Sequence, residues 1–344
     1  MRSFQFYFIS VLSIIFLYSC KPTVPTNQEA EAHRADSLMQ ILNSPELKAL
    51  NQKILDAPND ASLYNERAQL FLKLKQLEDA INDSKRAVRL DTTNVNFYLT
   101  EADIFFSANE TRNAKETLEK IVRKFPENTE GLLKLGELFF FVKQYENAFA
   151  CINKALKINE NLAKAYYLKG SIYKETGDTA KAISSFETAI DQDNKNYGAF
   201  LDMGVIYGAR KNTIALEYYD NAIRIDPTPE ALYAKAKLLQ DLNKWDDAAA
   251  LYDQILKKDA THEFSLYNLG AINLAKKDAS KALEYFTKAI DANPKYAEAY
   301  FARGVCYEEL KDKTNAYADY SMCLQLKPNY EPAVDALNAL GKVK

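Results

Sequence analysis

The residue types that most often carry catalysis or hold a metal are scarce in this chain. Its 344 residues include two histidines, His33 and His262, and four cysteines. Neither histidine lies near a cysteine, serine or acid in a spacing that builds a metal site or a catalytic triad. There is no glycine-rich nucleotide loop and no H-E-x-x-H metalloprotease motif. Carboxylate pairs such as Asp246–Asp247 are ordinary on solvated helix faces. The sequence therefore predicts a protein that is not an enzyme and uses no cofactor or metal.

Two cysteines near the C-terminus, Cys306 and Cys323, leave two interpretations open. A free cysteine packs as a small hydrophobic residue, and both positions suit a small side chain between helices. In an oxidising compartment the same residues can form a disulfide, and the sequence does not give the distance between them. Packing is the interpretation that the residue pattern favours.

The N-terminus has the composition of an export signal that ends at a modifiable cysteine. Residues 4–18 carry no charge, follow Arg2 and end two residues before Cys20. Such a stretch is typical of a secretory signal, and at about 15 residues it is shorter than the ~20 that span a bilayer. Leu17-Tyr18-Ser19-Cys20 resembles a bacterial lipobox, which implies that residues 1–19 are removed and that Cys20 is lipidated. An uncleaved anchor helix and ordinary cleavage are the alternatives.

The segment after the lipobox indicates how the chain is held. Residues 20–34 include Pro22 and Pro25 among small polar residues. This composition resists helix formation and predicts a flexible tether. Lysine, asparagine and tyrosine are plentiful and glycine is scarce, which, with the lipobox, resembles lipoproteins of Bacteroidetes-type bacteria. Residues 21–27 lack the acidic run that tends to accompany surface export in such organisms. The resemblance implies an outer-membrane lipoprotein that faces the periplasm.

The charge balance argues against one class of partner. The chain has 44 basic and 47 acidic residues, and removing residues 1–19 takes away only Arg2, so the net charge changes from −3 to about −4. Nucleic-acid binding needs a basic patch or stripe. We therefore expect partners other than nucleic acid.

The rest of the sequence repeats with a period that defines the structural elements. An alanine recurs at steps of 33 or 34 residues, at Ala80, Ala114, Ala148, Ala182, Ala215, Ala248, Ala282 and Ala316. A smaller residue precedes each alanine and a larger one follows most of them, as Gly270 and Phe286 flank Ala282. Because apolar positions within each half lie three or four apart, each half forms one face of a helix. Each repeat is therefore helix–turn–helix and needs neighbours to bury its apolar face.

The repeat is identified as a member of the tetratricopeptide repeat family, whose unit has about 34 residues. Residues 297–330 carry the family's signposts almost throughout, with Tyr300, Gly304, Tyr307, Ala316, Tyr320 and Pro328 in place. The resemblance implies an all-α, right-handed superhelical solenoid in which the first helix of each repeat lines a concave groove. Eight repeats are predicted over 61–330, the fifth being short. A degenerate helix pair at 35–60 precedes them, and a capping helix and tail at 331–344 follow.

In this family five positions of each first helix line the groove. The predicted partner-binding residues at these positions are Leu99, Phe106, Leu133, Phe140, Phe141, Tyr167, Tyr267, Leu274 and Phe301. They form two apolar regions, one around Phe106 and Phe140–Phe141 and the other around Tyr267 and Phe301. Aromatic residues at these positions also pack between neighbouring first helices, so packing alone is the competing interpretation for each of them.

Together these features predict a non-catalytic interaction scaffold that is anchored in the membrane by a lipid. The groove would bind a peptide or an amphipathic helix of envelope proteins. The alternative is a substrate-binding lipoprotein that delivers peptides or glycans to an envelope transporter. The sequence indicates neither the partner nor the oligomeric state.

Overall fold

The structure is a computed structural model that describes residues 44–342, and its regular structure within that range is entirely helical. The eighteen helices of these residues confirm the all-α repeat fold. The predicted signal at 1–19, Cys20, the tether at 20–34 and the start of the leading helix pair lie outside the described residues. In the part of the chain that is described, no helix is both long enough and apolar enough to cross a membrane.

The backbone divides into two compact units, the first of which ends at Thr117. The helices that begin in this unit are α1 Pro45–Asp56, α2 Ala61–Lys73, α3 Leu77–Leu90, α4 Val95–Ser107 and α5 Thr111–Lys124. In the core of this unit Leu47, Phe71 and Ile104 pack with the small residues Ala68 and Ala80.

The second unit begins at Leu118 and holds the remaining helices. They are α6 Thr129–Phe141, α7 Tyr145–Ile158, α8 Ala163–Glu175, α9 Thr179–Gln192, α10 Tyr197–Gly208, α11 Ile214–Ile225, α12 Pro229–Asp241, α13 Trp245–Lys258, α14 Glu263–Ala275, α15 Ala279–Ala292, α16 Ala297–Glu309, α17 Lys313–Leu326 and α18 Glu331–Lys342. They pack as successive pairs from α6–α7 to α16–α17, and α18 packs against α17. The even-numbered helices from α6 to α16 are the first helices of these pairs.

Close approach within each pair depends on a small residue facing a large one. A Cβ atom added to Gly270 would lie 2.7 Å from the Phe286 ring, and one added to Gly170 would lie 2.6 Å from Phe186. Atoms cannot approach so closely, so the glycine lets the ring of the second helix pack directly on the backbone of the first. This contact explains the spacing of small and large residues that the sequence repeats.

The turn inside each pair has its own period, which the sequence analysis did not recognise. One residue per turn has a positive φ, at Lys75, Asn109, Lys143, Gly177, Lys211, Asn243, Lys277 and Lys311. The following amide donates to a carbonyl in the last turn of the first helix, as Asp278 N does to Asn273 O at 2.9 Å. This is the Schellman arrangement, which satisfies carbonyls that the helix end leaves unpaired.

The fifth repeat is short because it has one residue fewer directly after this turn. Lys211 still has the left-handed conformation expected of the period, whereas Ala215 comes one residue early. Accordingly, α11 has 12 residues where the equivalent helix α9 has 14. The change therefore shortens the start of the second helix and leaves the left-handed turn intact.

Cys306 and Cys323 are fully buried free thiols. Cys306 packs with Ala282, Phe286 and Ala302, whereas Cys323 packs in a separate cluster with Ala297. Burial raises the pKa of the Cys306 thiol to about 12. Both residues therefore have the small-side-chain packing role, and the structure contains no disulfide between them.

Candidate functional site: an aromatic cluster on the first helices

The two predicted binding residues of the first unit lie on α4 and differ in exposure. Phe106 is 42% exposed, whereas Leu99 is only 5% exposed. On α6, in the second unit, Leu133 is buried to the same degree as Leu99. The two leucines lie below the surface, so a partner would meet them only through their neighbours.

The end of α6 carries the predicted Phe140–Phe141 pair. The ring of Phe140 is half-buried and lies 6.3 Å from that of Tyr145, on the second helix of the same pair. Phe141 points more to solvent and is 66% exposed. The Phe140 ring is therefore partly buried by packing within its repeat, whereas most of the Phe141 ring is accessible to a partner.

Tyr167, on α8, is held between two helices. Its ring lies 5.8 Å from that of Phe186, and a Cβ atom added to Gly198 of the next first helix would lie 2.8 Å from it. Burial raises the pKa of the Tyr167 hydroxyl. This residue packs between repeats and offers one edge of its ring to the surface.

A continuous aromatic cluster forms where α12, α14 and α16 meet. It comprises Tyr233, His262, Phe264, Tyr267 and Tyr296. The ring of Phe264 lies 6.4 Å from Tyr233, 6.0 Å from His262 and 5.7 Å from Tyr296, and Tyr296 lies 5.1 Å from Tyr267. Ring separations of this size are favourable. Phe264 is 46% exposed and the other four rings are half-buried, so the cluster is both preorganised and accessible.

Hydrogen bonds fix the rings of this cluster. The side chain of His262 caps α14, with Nδ1 accepting from the amide of Ser265 at 3.2 Å. Asn268 Nδ2 donates to the hydroxyl of Tyr233 at 2.9 Å and to the carbonyl of Phe264 at 2.8 Å. The contact with Tyr233 joins α12 to α14. The cluster is thus held by its own polar groups, which lowers the entropy that a ligand must remove.

The last two predicted residues border this cluster. The ring of Phe301 lies 5.3 Å from Tyr330 and 5.5 Å from Tyr320. Leu274 is half-buried and packs with Tyr267 against the core that contains Phe286. Leu274 and Tyr267 therefore rest on one core, and Phe301 continues the row of rings into the last repeat.

Carboxylates lie close to the cluster. The pKa of Tyr296 is raised mainly by burial, and the charges of Glu298 and Glu263 raise it further. The pKa of Tyr267 is raised mainly by burial and also by Glu298. Glu298 accepts a hydrogen bond from Lys327 Nζ at 2.7 Å, which lowers the pKa of this carboxyl. Two carboxylates therefore influence these rings, and one of them, Glu298, is paired with Lys327.

The first helices α6, α8 and α10 carry a different surface, a charge ladder that includes Glu137–Lys164 and Lys174–Asp202. Lys164 Nζ lies 2.7 Å from Glu137, and Lys174 Nζ lies 2.5 Å from Asp202, so each pair joins successive first helices. A third pair, Lys143–Glu175 at 3.0 Å, links the turn after α6 to the end of α8. Every one of these charges is matched within the chain.

Part of this cluster could be predicted from the sequence. Tyr267, Leu274 and Phe301 were predicted to lie in one region, whereas Tyr233, His262 and Tyr296 were not identified. Two of these lie in or beside the turns between repeats, outside the five groove positions. The spacing of Tyr296 and Tyr330 by one period was a usable signal. Among residues 44–342 no group of three His, Cys, Asp or Glu side chains is arranged to hold a metal.

Comparison with known proteins places the chain among helical repeat proteins. The tetratricopeptide repeat family model matches residues 205–263, 233–297 and 267–331. The model described as the tetratricopeptide repeat protein 21 C-terminal ARM domain matches residues 43–200. The chain belongs to the tetratricopeptide repeat family.

Curated relatives share only part of their length with it. The chain is 46% identical over 63 residues to a UDP-N-acetylglucosamine–peptide N-acetylglucosaminyltransferase of Giardia intestinalis, which is 18% of this chain and 4% of that enzyme. It is 23% identical over 181 residues to anaphase-promoting complex subunit 3 of Schizosaccharomyces pombe, which is 52% of this chain and 27% of that protein. The chain thus spans less than a third of each of these two proteins.

Solved structures show the same fold. The C-terminal part of a repeat-containing protein from Cytophaga hutchinsonii aligns with a TM-score of 0.56 at 20% identity, covering 69% of this chain and 98% of that one. The type IV pilus biogenesis factor PilW aligns with a TM-score of 0.52 at 19% identity, covering 61% and 98%. At these identities the likeness concerns the fold alone.

Proposed function

We propose that this protein is a non-catalytic interaction scaffold, anchored in the outer membrane through lipidated Cys20 and facing the periplasm. Its first helices bind a peptide or an amphipathic helix of envelope proteins. The membrane and envelope parts of the proposal rest on the apolar stretch at 4–18 and the lipobox that follows it. The interaction part rests on the family and on the aromatic cluster.

The aromatic cluster is the observation that carries the binding proposal. Residues that dominate protein interfaces are aromatic, clustered and surrounded by weaker contacts that exclude water. The rings of Tyr233, Phe264, Tyr296 and Tyr267 contact one another in this order, and Phe264 keeps 46% of its surface exposed. Leu274 and Phe301 border this anchor. Phe141, on α6 of the same unit, is exposed and offers a smaller contact.

Crosslinked affinity capture of the full lipoprotein from native membranes tests this proposal. The wild type is compared with Phe264→Ala/Tyr267→Ala and with the matched control Tyr317→Ala, an aromatic residue that is 56% exposed on the second helix α17. We expect a dominant partner that the double variant loses and the control keeps. Equal capture by all three proteins would overturn the role of the cluster. Circular dichroism melting shows that the compared variants are folded.

A second candidate is the substrate-binding lipoprotein for peptides or glycans. The hydroxyl of Tyr233 and the amide of Asn268 lie beside the rings, and ligand sites combine apolar walls with a few polar groups. Thermal shift of the full chain with short peptides and chito-oligosaccharides distinguishes the two candidates. A shift with a glycan that Phe264→Ala abolishes would favour the substrate-binding protein over the scaffold.

The lipid anchor has its own test. Metabolic labelling with a palmitate analogue should mark the wild type, and Cys20→Ser should lose the label and leave the membrane fraction. A labelled Cys20→Ser variant would contradict lipidation at this residue.

A further inference from the structure

The first helices that carry the aromatic cluster have an excess of negative charge. On α12, α14 and α16 the acidic residues are Glu230, Asp241, Glu263, Glu298, Glu308 and Glu309. The basic residues on the same helices are Lys235, Lys237 and Arg303. These three helices thus carry six acidic residues and three basic ones. On α6, α8 and α10 the numbers are equal, with acidic Glu130, Glu137, Glu175 and Asp202 and basic Lys134, Lys164, Lys169 and Lys174.

All three basic residues are already engaged within the chain. Lys235 pairs with Asp220, and Lys237 lies 2.5 Å from Asp241. Arg303 makes a two-pronged contact with Asp319, through Nε and Nη2 at 2.8 Å each. Among the described residues, Glu230, Glu263 and Glu309 take part in no ion pair. The uncompensated charge of these helices is therefore negative.

The last repeat shows how a cation fits such a surface. Lys327 Nζ lies 4.9 Å from the centroid of the Tyr330 ring and 2.7 Å from Glu298. A cation between a ring and a carboxylate gains both cation–π and Coulomb energy. One period earlier, Tyr296 corresponds to Tyr330, but Asn293 takes the place of Lys327. Among the described residues no Lys or Arg lies over the Tyr296 ring, and the negative charge of Glu263 reaches it.

We propose that the aromatic cluster takes a basic peptide segment, placing a lysine or arginine of the partner over Tyr296 and Phe264 against Glu263. This inference rests on the proposed interaction function and specifies the chemistry of its ligand. An acidic segment would meet like charges, which costs affinity. A purely apolar segment would use the rings and leave Glu263 without a partner.

Labelled synthetic peptides provide the probe. The first peptide contains arginine and leucine residues that alternate with serine and glycine. The second peptide has citrulline in place of each arginine, and the third has glutamate at the same positions. Citrulline keeps the shape of arginine and removes its charge. The difference in affinity between the first two peptides therefore measures the contribution of the charge. Using fluorescence anisotropy with the full chain in detergent, we expect the arginine peptide to bind about tenfold more tightly than the citrulline peptide, as one desolvated cation–π contact would give. This preference should fall as salt is added.

Two variants locate the site. Asn293→Lys should supply the cation that Lys327 provides one repeat later, because Asn293 and Lys327 share nearly the same backbone conformation, φ −136° and −139°. We expect it to weaken the arginine peptide about tenfold and to leave the citrulline peptide unchanged. Glu263→Gln should act in the same direction, whereas Glu137→Gln in the charge ladder should not.

The outcomes separate this inference from the proposed function. Equal binding of the arginine and citrulline peptides, or no effect of Asn293→Lys, would overturn the basic ligand. A captured partner that depends on Phe264 and Tyr267 would still support the scaffold in that case. If Asn293→Lys unfolds the chain, Glu263→Gln decides, since its side chain forms no ion pair within the described residues.

Discussion

Two stretches of the second unit share one repeat but present different surfaces. The first helices α6, α8 and α10 carry the charge ladder, in which Glu137–Lys164 and Lys174–Asp202 join neighbouring helices. The first helices α12, α14 and α16 carry the aromatic cluster and an excess of carboxylates. Both stretches use the same glycine-to-ring contact, at Gly170–Phe186 and at Gly270–Phe286. The core positions therefore specify stacking, and the exposed positions of the first helices are free to specify binding.

Within the stretch that carries the aromatic cluster, a buried and an exposed ion pair should differ most in energy. Arg303 and Asp319 are 17% and 8% exposed in their side chains, so Asp319→Ala should leave a largely buried arginine without a partner and lower the free energy of unfolding by about 3 kcal/mol. Urea unfolding measures this change. The control is Asp241→Ala, whose exposed pair with Lys237 should cost less than about 1 kcal/mol. Equal losses would mean that the Arg303–Asp319 pair is not specially important.

The shared core should respond alike in both stretches. Gly170→Leu and Gly270→Leu should each drive a side chain into the facing ring and cost roughly 1–3 kcal/mol. Thermal unfolding checks both. Gly341→Leu is the control, because nothing lies within 4 Å of the position where its Cβ would stand. Unchanged melting of both core variants would show that the helix pairs do not pack in this register.

The repeat fold that the two stretches share could be predicted from the sequence, whereas most of the differences between their surfaces could not. The fold was predictable because small and large residues recur at a fixed spacing around Ala282 and its equivalents. Tyr267 and Phe301 were predictable because they occupy groove positions. His262 and Tyr296 were missed because they lie beside turns, where periodicity carries less information. The cross-helix pairing of Lys164 with Glu137 depends on side-chain geometry between repeats, which a one-dimensional pattern does not contain.

The ladder itself should contribute little to stability. The side chains of Lys164 and Glu137 are about half exposed, so Lys164→Gln should lower the free energy of unfolding by no more than about 1 kcal/mol. Urea unfolding at low and high salt measures the loss, which should shrink with salt because exposed charges are screened. A larger, salt-independent loss would mean that the ladder is a structural element.

The smallest expected effect concerns pH at the edge of the cluster. The hydrogen bond from Lys327 lowers the pKa of Glu298 in the folded chain. A carboxyl with a lowered folded pKa stabilises the fold above its unfolded pKa and loses that contribution as pH falls through the folded value. The difference in melting temperature between wild type and Glu298→Gln should therefore shrink below about pH 4. A difference that stays constant with pH would contradict the role of this pair.

Site-specific photo-crosslinking in the native membrane tests the central claim most directly. A photoreactive phenylalanine analogue is placed either at Phe264, in the aromatic cluster, or at Tyr317, an even more exposed ring on a second helix. We expect a discrete protein adduct from position 264 and none from position 317. Adducts from position 317 alone, or equal adducts from both, would contradict the assignment of the aromatic cluster as the binding surface.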